Sequence, residues 1–171
     1  MTNMNDVLLL ITGGTIGSEW SPSDDTSVVM ATDSVSEYIK GFIRPHFNIR
    51  KNIITMKDSR AITDDTRRDI LAAIKSSDCK NIIITHGTYT MVDTAKFIQD
   101  NLSDFGGRKI ILVGSFYPLK GYSPTDTPFN IGFAFGALSG AVPGVYVAMN
   151  SELFKPEEVH KDIIDSRFKR I

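Results

Sequence analysis

The chain has 171 residues, 42% of them hydrophobic and 23% charged, and its formal net charge is -1. This length fits one domain with a real core, and the composition is that of an ordinary globular protein. The balanced charge excludes a general binder of nucleic acid or acidic membranes, and no stretch approaches the roughly 20 apolar residues of a membrane span. The single cysteine, Cys79, cannot form an intrachain disulfide, so we expect a cytoplasmic protein.

The N-terminal part of the chain predicts a buried strand, a long connection and a helix. Residues 7–12 form a short apolar run that ends at Gly13, Gly14 and Thr15. The stretch 18–32 has no periodicity and is longer than a usual connection, so it is either a mobile lid or a disordered loop. Asp33 then caps a helix that Pro45 ends. The apolar stripe of this helix is predicted to contain Val35, Tyr38, Ile39, Phe42 and Ile43.

Two further strands and a helix follow. A strand over about residues 47–55 leads into a loop at 56–60, and Thr63 caps a helix whose apolar side contains Ile70, Leu71 and Ile74. The third strand, 81–85, is buried and β-branched. It ends in the segment 84–88, which repeats the pattern Ile-Thr-x-Gly-Thr of residues 11–15.

Strands and helices also alternate in the second half of the chain. We predict helix 91–102, strand 109–114, a helix from Pro128 through Leu138 and strand 144–149. The apolar helix around 129–142 belongs to the core or to an interface, and we favour the core. The tail 150–171 is polar, with a possible short helix after Pro156. This order predicts one α/β domain, residues 1–171: a three-layer sandwich with a mostly parallel, Rossmann/flavodoxin-like sheet and helices on both faces.

The two Ile-Thr-x-Gly-Thr segments are the best candidates for a functional site. The carboxyl ends of parallel strands meet in one crevice, where ligands bind in open α/β sheets. Thr15 and Thr88 would therefore aim their hydroxyls into the same cleft. The alternative is that both threonines merely cap helices. Because the pattern occurs twice, we favour a site.

The sequence argues against metal and cofactor chemistry at such a site. His46, His86 and His160 lack paired-ligand spacing, and the glycines at 13, 14 and 17 match neither a dinucleotide nor a phosphate fingerprint, so we expect no metal and no cofactor. A threonine hydroxyl attacks a carbonyl only if a base takes its proton, and a desolvated lysine can do this. Backbone N–H groups of the glycine-rich loops could hold an oxyanion. These features indicate acyl transfer or amide hydrolysis, with the substrate left open.

The motifs also resemble a known family. Residues 12–17 and 85–91, the latter followed by Asp93-Thr94-Ala95, resemble the two signature segments of the bacterial-type L-asparaginases. The resemblance continues through Asp58-Ser59, 113–115 with Pro118, 126–130 and 147–150. Lys161 then matches the catalytic lysine of the family. The resemblance covers essentially the whole chain in order, and the two threonine segments together are highly specific.

The resemblance implies hydrolysis of L-asparagine to L-aspartate and ammonia without a cofactor. By it, Thr15 is the acylating nucleophile, and Thr88 with Lys161 forms a second catalytic pair; the order in which the threonines act stays open. Ser59 would bind the α-carboxylate and Ser115 would line the amide pocket. The remaining expected substrate-binding residues are Gly14, Asp58, Arg60, Gly87 and Tyr89. The family also implies a homodimer or a higher homo-oligomer.

The chain departs from the family in three respects. Members are usually about twice as long, with a smaller C-terminal domain that helps to close a neighbour's site, so this chain resembles a short single-domain form. Tyr89 stands where the family has an Asp that holds the substrate's α-ammonium. The lid tyrosine has no counterpart, since Trp20 is the aromatic residue of the stretch 18–32, and Arg60 replaces a small or amide residue. The acids that could replace the missing Asp are Asp58, Glu19, Asp24 and Asp25.

These departures predict an asparaginase of low affinity with little glutaminase activity. Two alternatives remain: an amidase for another small amide, and a catalytically silent domain that binds aspartate or asparagine. Tyr89 motivates both alternatives, whereas the joint presence of Thr15, Thr88 and Lys161 favours the enzyme.

Overall fold

The computed structural model describes residues 6–30 and 32–171. Its helices and strands follow the alternation that the sequence predicts. In chain order they are β1 (Val7–Gly13), β2 (Ser18–Ser21), β3 (Thr26–Val29), α1 (Ser34–Tyr38), β4 (Ile49–Lys57), α2 (Asp64–Ser76), β5 (Asn81–Thr85), α3 (Met91–Asn101), β6 (Lys109–Val113), α4 (Thr127–Gly140), β7 (Gly144–Met149), β8 (Glu152–Phe154), β9 (Val159–Asp162) and β10 (Arg167–Arg170).

The central sheet has six strands in the order β4-β1-β5-β6-β7-β8. The first five are parallel, and β8 runs antiparallel to β7. Counted in chain order, the parallel strands have the order 2-1-3-4-5, which is the flavodoxin-like order. The strand order reverses between β1 and β5, so ligands are expected at the carboxyl ends of these two strands. Those ends carry the two threonine segments.

Hydrophobic residues cover both faces of this sheet, which confirms the three-layer prediction. Alternate side chains of β1 point to opposite faces, so Leu8 and Leu10 belong to one core and Leu9 and Ile11 to the other. The first core contains residues of α2, α3 and the C-terminal strands, and Cys79 lies within it. The second core contains residues of α1 and α4.

The helix caps are confirmed, and the first helical segment ends just before Pro45 as predicted, but its apolar stripe is confirmed only in the first part. Asp33 accepts a hydrogen bond from the N–H of Ser36 at 2.9 Å, and Thr63 accepts one from Thr66 at 3.4 Å. After Tyr38 the chain continues as a π-helix, Ile39–Ile43. The wider π turn takes later residues off the stripe of a 3.6-residue period. Consequently the prediction was wrong for Phe42, which is 81% exposed, and for Ile43, which is also exposed.

The stretch 18–32 is more ordered than predicted. Strands β2 and β3 pair antiparallel, so the prediction of a loop without secondary structure was wrong; Ala31 lies outside the described residues. The Trp20 ring packs edge-on against Tyr122 at 5.1 Å, and the Trp20 N–H donates to the Lys120 carbonyl at 3.0 Å. These contacts join the β2–β3 hairpin to the loop after β6. The two strands could not be predicted from the sequence because each is only four residues long.

The structures of helix α4 and of the C-terminal tail also differ in part from the sequence prediction. Ile131, Ala134 and Leu138 of α4 are buried, whereas Phe129 on its outer side is 61% exposed, so the core interpretation holds for one face of this helix. The expected short helix after Pro156 is a single 3-10 turn. The rest of the tail forms β8 and a hairpin of β9 and β10, with Phe168 buried. Among residues 6–30 and 32–171, no helix has the length and apolar character of a membrane span.

Candidate active site

The loops that follow β1, β4 and β5 pack backbone against backbone. Gly14 has a φ of +80°, and a Cβ atom built on it would lie 2.3 Å from the Cα of Gly87. A Cβ on Gly87 would lie 2.6 Å from the Oγ of Ser59. Such distances exclude any side chain at either glycine. Because Thr15 and Thr88 each follow one of these glycines, the two threonines belong to adjoining loops at the same end of the sheet.

The backbone groups of the two glycines are already engaged in this packing. The Gly14 N–H donates to the Lys57 carbonyl at 2.8 Å, and the Gly87 carbonyl accepts from Nδ1 of His86 at 2.8 Å. The expectation that glycine N–H groups of these loops hold an oxyanion was therefore wrong for Gly14. Gly14 instead allows the loops after β1 and β5 to approach each other closely.

The two threonines do not cap helices. Thr15 is half-buried and begins a 3-10 turn whose N-cap is Gly14. Helix α3 begins at Met91, and its N-cap is Thr90. Thr88 therefore lies before the cap position, and the helix-cap interpretation was wrong for both residues.

The Thr88 hydroxyl lies beside an amine from the far end of the chain. The Nζ of Lys161 donates to Thr88 Oγ1 at 2.8 Å, across 73 positions of sequence. Lys161 lies on β9, and Thr88 is buried. Burial lowers the pKa of Lys161 below its ordinary value, the nearby Arg60 lowers it further, and Asp58 opposes the shift. The lowered pKa increases the neutral fraction, which can take a proton from a hydroxyl.

The ring of Tyr89 lies beneath two cations. The Nζ of Lys161 is 3.6 Å from the ring centroid, and the guanidinium carbon of Arg60 is 4.7 Å from it. Both distances are within the range of cation–π attraction. About half of the Tyr89 surface remains exposed, and its N–H donates to Ser59 Oγ at 3.2 Å. The residue therefore connects Ser59, Arg60 and Lys161.

Asp58 and Arg60 form an ion pair on the loop after β4. The Arg60 side chain donates from Nε to one carboxylate oxygen of Asp58 at 2.9 Å and from Nη2 to the other at 3.2 Å. The hydrogen bond from Arg60 lowers the pKa of Asp58 below its ordinary value. Ser59, between them, is buried, and its carbonyl accepts a hydrogen bond from Thr90.

Ser115 lies at the adjoining end of β6 but is engaged locally. It is fully buried, and its hydroxyl donates to the Tyr117 carbonyl at 2.8 Å. The preceding Gly114 is close to the β5 loop, because a Cβ on it would lie 2.6 Å from the His86 carbonyl oxygen and 3.3 Å from a methyl carbon of Thr88. Eight of the ten candidate residues are linked by these contacts, Thr15 follows Gly14 in one of the packed loops, and Ser115 adjoins them.

The chain matches a known protein family. The family model for the N-terminal domain of asparaginase matches residues 6–167. The chain belongs to the asparaginase family. It is 32% identical to a glutaminase-asparaginase of Acinetobacter glutaminasificans, over 93% of this chain and 50% of that protein. The chain thus spans about half the length of the curated relatives that it matches.

Solved structures of asparaginases have the same fold. The thermostable L-asparaginase from Thermococcus kodakarensis superposes with a TM-score of 0.81 at 25% identity, covering 97% of this chain and 51% of that one. The probable cytoplasmic L-asparaginase from Campylobacter jejuni gives a TM-score of 0.78 at 26% identity, covering 97% and 53%. These likenesses confirm the predicted family and α/β fold.

A hydrogen-bonded chain behind the second threonine segment of this asparaginase-family domain was not predicted from the sequence. Arg67 Nε donates to the Thr94 hydroxyl at 3.2 Å, and that hydroxyl lies 2.9 Å from Nε2 of His86. Because Nδ1 of His86 bonds to the Gly87 carbonyl, the ring donates there and accepts from Thr94. Burial lowers the pKa of His86 to about 4, so the ring is neutral at pH 7. The position of His86 within the conspicuous 84–88 segment was the available signal.

The residues that hold Lys161 in place were also not predicted from the sequence. Phe168 is opposite Lys161 in the β9–β10 hairpin and packs edge-on against Phe116 at 6.1 Å. The Phe168 N–H donates to Asn150 Oδ1 at 2.9 Å, and Asn130 Oδ1 accepts from the Asn150 N–H at 3.3 Å. These bonds tie the hairpin to α4 and to the end of β7. The signal was a single apolar residue in the polar segment 167–170, which is too weak to identify a strand.

Proposed function

We propose that this asparaginase-family chain hydrolyses the side-chain amide of L-asparagine to L-aspartate and ammonia, with Thr15 as nucleophile and Thr88 and Lys161 as the proton-transferring pair. The observation that carries the proposal is the 2.8 Å contact between Lys161 Nζ and Thr88 Oγ1, in a loop packed against the one that holds Thr15. A hydroxyl within hydrogen-bonding distance of an amine is the arrangement that activates a poor nucleophile.

The reaction proceeds in two halves. Thr15 Oγ1 attacks the amide carbon and loses its proton to a base; the carbon–nitrogen bond then breaks, and the nitrogen leaves as ammonia after taking up a proton. The resulting ester is attacked by water, which gives up a proton and releases L-aspartate with the Thr15 hydroxyl restored. Lys161, acting through Thr88, takes a proton in its neutral form, which its lowered pKa favours, and then returns that proton to the leaving group from its protonated form.

The surroundings of Tyr89 support low affinity for asparagine. A charge-assisted hydrogen bond to the substrate contributes about 1.5–3 kcal/mol, so its loss weakens binding roughly ten- to a hundredfold. Tyr89 presents a neutral ring that is already in contact with Lys161 and Arg60. Asp58, the first candidate to replace a missing acid, is paired with Arg60.

We further propose that residues 1–171 act as one domain and assemble as a homodimer in the cytoplasm. The outer side of α4 supports an interface, because Phe129 is exposed and a Cβ on Gly132 or Gly136 would meet nothing within 4 Å. Exposed glycines in a helix are unfavourable unless close packing requires them. The single, buried Cys79 fits a reducing compartment. Light scattering during gel filtration tests the homodimer, and cell fractionation tests the cytoplasmic location.

Ammonia release from a panel of amides tests the proposed reaction. We expect turnover of L-asparagine with a Michaelis constant above the micromolar range and slower turnover of L-glutamine. Micromolar use of asparagine, or equal turnover of glutamine, would contradict the affinity and selectivity. A protein that binds L-aspartate in calorimetry but releases ammonia from no amide would instead be a silent binding domain.

A further inference from the structure

The charges around the Lys161–Thr88 pair favour an anion. Within residues 6–30 and 32–171, the charged side chains that act on Lys161 are Arg60 and Asp58. Two cations and one carboxylate leave one net positive charge while Lys161 is protonated. Both carboxylate oxygens of Asp58 accept hydrogen bonds from the Arg60 side chain, and one also accepts from its backbone N–H. A ligand ammonium entering this cluster would face the Arg60 guanidinium, which stays charged when Lys161 is neutral, and the carboxylate that could attract the ammonium is already paired with that guanidinium.

The Tyr89 ring does not offer an unused site for a ligand ammonium. The electron-rich ring already lies within cation–π distance of Lys161 and Arg60, at 3.6 and 4.7 Å. A third cation near the same ring would be repelled by both. The exposed half of Tyr89 therefore provides apolar surface rather than charge recognition.

A ligand carboxylate, in contrast, can accept hydrogen bonds from unused N–H donors of Arg60. Arginine has five N–H donors, and the Arg60 side chain donates two of them to Asp58, so three remain. The Arg60 side chain is 68% exposed and can turn these donors to a ligand. Planar carboxylates are well matched by guanidinium groups.

We propose that this site recognises its amide substrate through the carboxylate alone, so that it accepts monoamides of four-carbon dicarboxylic acids with or without an α-ammonium group. The inference rests on the proposed amide hydrolysis and specifies its substrate class. Succinamate, which is asparagine without the α-amino group, is then hydrolysed at least as efficiently as L-asparagine. The attacked carbon, the leaving ammonia and the attacking water are the same for both substrates, so only recognition differs.

The test compares three amides with the whole chain. Ammonia release is measured for L-asparagine, succinamate and 3-aminopropanamide, which carries an ammonium but no carboxylate. For the wild type we expect a kcat/KM for succinamate equal to or above that for asparagine, and no saturable turnover of 3-aminopropanamide. Tyr89→Asp places a carboxylate beside the two cations and should shift the ratio towards asparagine by about tenfold or more. Tyr89→Phe, the matched control without new charge, should keep the wild-type ratio.

A binding measurement separates this inference from the proposed reaction. Calorimetry with succinate and L-aspartate needs no catalysis, and we expect succinate to bind at least as tightly as aspartate. If the chain releases no ammonia but shows this order of binding, the proposed reaction fails and the carboxylate recognition stands. If the wild type prefers asparagine over succinamate, or aspartate over succinate, by tenfold or more, the recognition proposal is overturned while the proposed reaction remains.

Discussion

Lys161 and Phe168 are paired across the β9–β10 hairpin, and the buried Phe168 fixes the strand from which the Lys161 amine reaches Thr88. Directly opposite residues of an antiparallel pair project to the same side of the ribbon. Phe168 is inserted beside Phe116, whose ring is 5.3 Å from the Lys161 amine. The position of the amine therefore depends on apolar packing at the end of the chain.

Replacing Phe168 tests this dependence. Phe168→Leu keeps an apolar side chain but shortens it, so the hairpin should shift while the domain stays folded. We expect kcat to fall at least tenfold, with a smaller change in KM. Phe42→Leu alters a phenylalanine that is 81% exposed and serves as the control, with kcat unchanged. A folded Phe168→Leu variant with wild-type kcat would show that the packing does not position the amine.

The pH dependence of kcat should report Lys161. Burial is the main cause that lowers the pKa of Lys161, Arg60 lowers it further, and Asp58 opposes the shift. Arg60→Gln removes a cation and leaves Asp58 without its partner, so both effects raise the pKa of Lys161. If neutral Lys161 is the active form, the rising limb of the profile should move to higher pH. Arg68→Gln removes an exposed arginine paired with Asp65 on α2 and should leave the limb in place. A shift to lower pH after Arg60→Gln would contradict the assignment.

Folding stability should fall on acidification because of His86. Its folded pKa is about 4, below the ordinary 6.5, since burial disfavours the charged ring. The unfolded chain therefore binds more protons between these values, and stability is fully present above pH 6.5 and is lost as pH falls towards 4. The loss amounts to about 3 kcal/mol.

Urea unfolding at several pH values measures this loss. His86→Gln should be less stable at neutral pH but should lose less stability between pH 6.5 and 4 than the wild type does. The exposed His160→Gln is the control and should retain the wild-type slope. Equal slopes for His86→Gln and wild type would mean that the ring is not held neutral in the folded state.

Two glycine substitutions should have opposite effects. Gly87→Ala would bring a methyl group to 2.6 Å from Ser59 and should reduce kcat/KM and stability. Gly41→Ala, in the π-helix Ile39–Ile43, meets nothing within 4 Å and should stabilise this helix by about 0.5–1 kcal/mol. Thermal unfolding with asparagine hydrolysis checks both. If Gly87→Ala has wild-type activity, the close approach of the loops is not needed for the reaction.

The sequence predicted the inner strands of the central sheet well because β1, β5, β6 and β7 are buried and consist of continuous apolar runs. Strands 81–85 and 144–149 agree with β5 and β7 to the residue. The hairpins β2–β3 and β9–β10 were missed because their short strands alternate little and depend on contacts made in the folded chain. Tyr89 could be singled out from the sequence, but its position beneath Arg60 and Lys161 could not, since these cations come from distant parts of the chain.

The most direct test of the account is the rate of ammonia release from L-asparagine by the wild type and by Thr15→Ala, Thr88→Ala and Lys161→Ala, with circular dichroism to show that each variant folds. We predict that each substitution lowers kcat/KM by about a hundredfold or more, as expected for loss of a nucleophile or of a proton-transferring group. Thr26→Ala, an exposed threonine of β3, should match the wild type. Wild-type rates in a folded Thr88→Ala or Lys161→Ala variant would contradict the central claim.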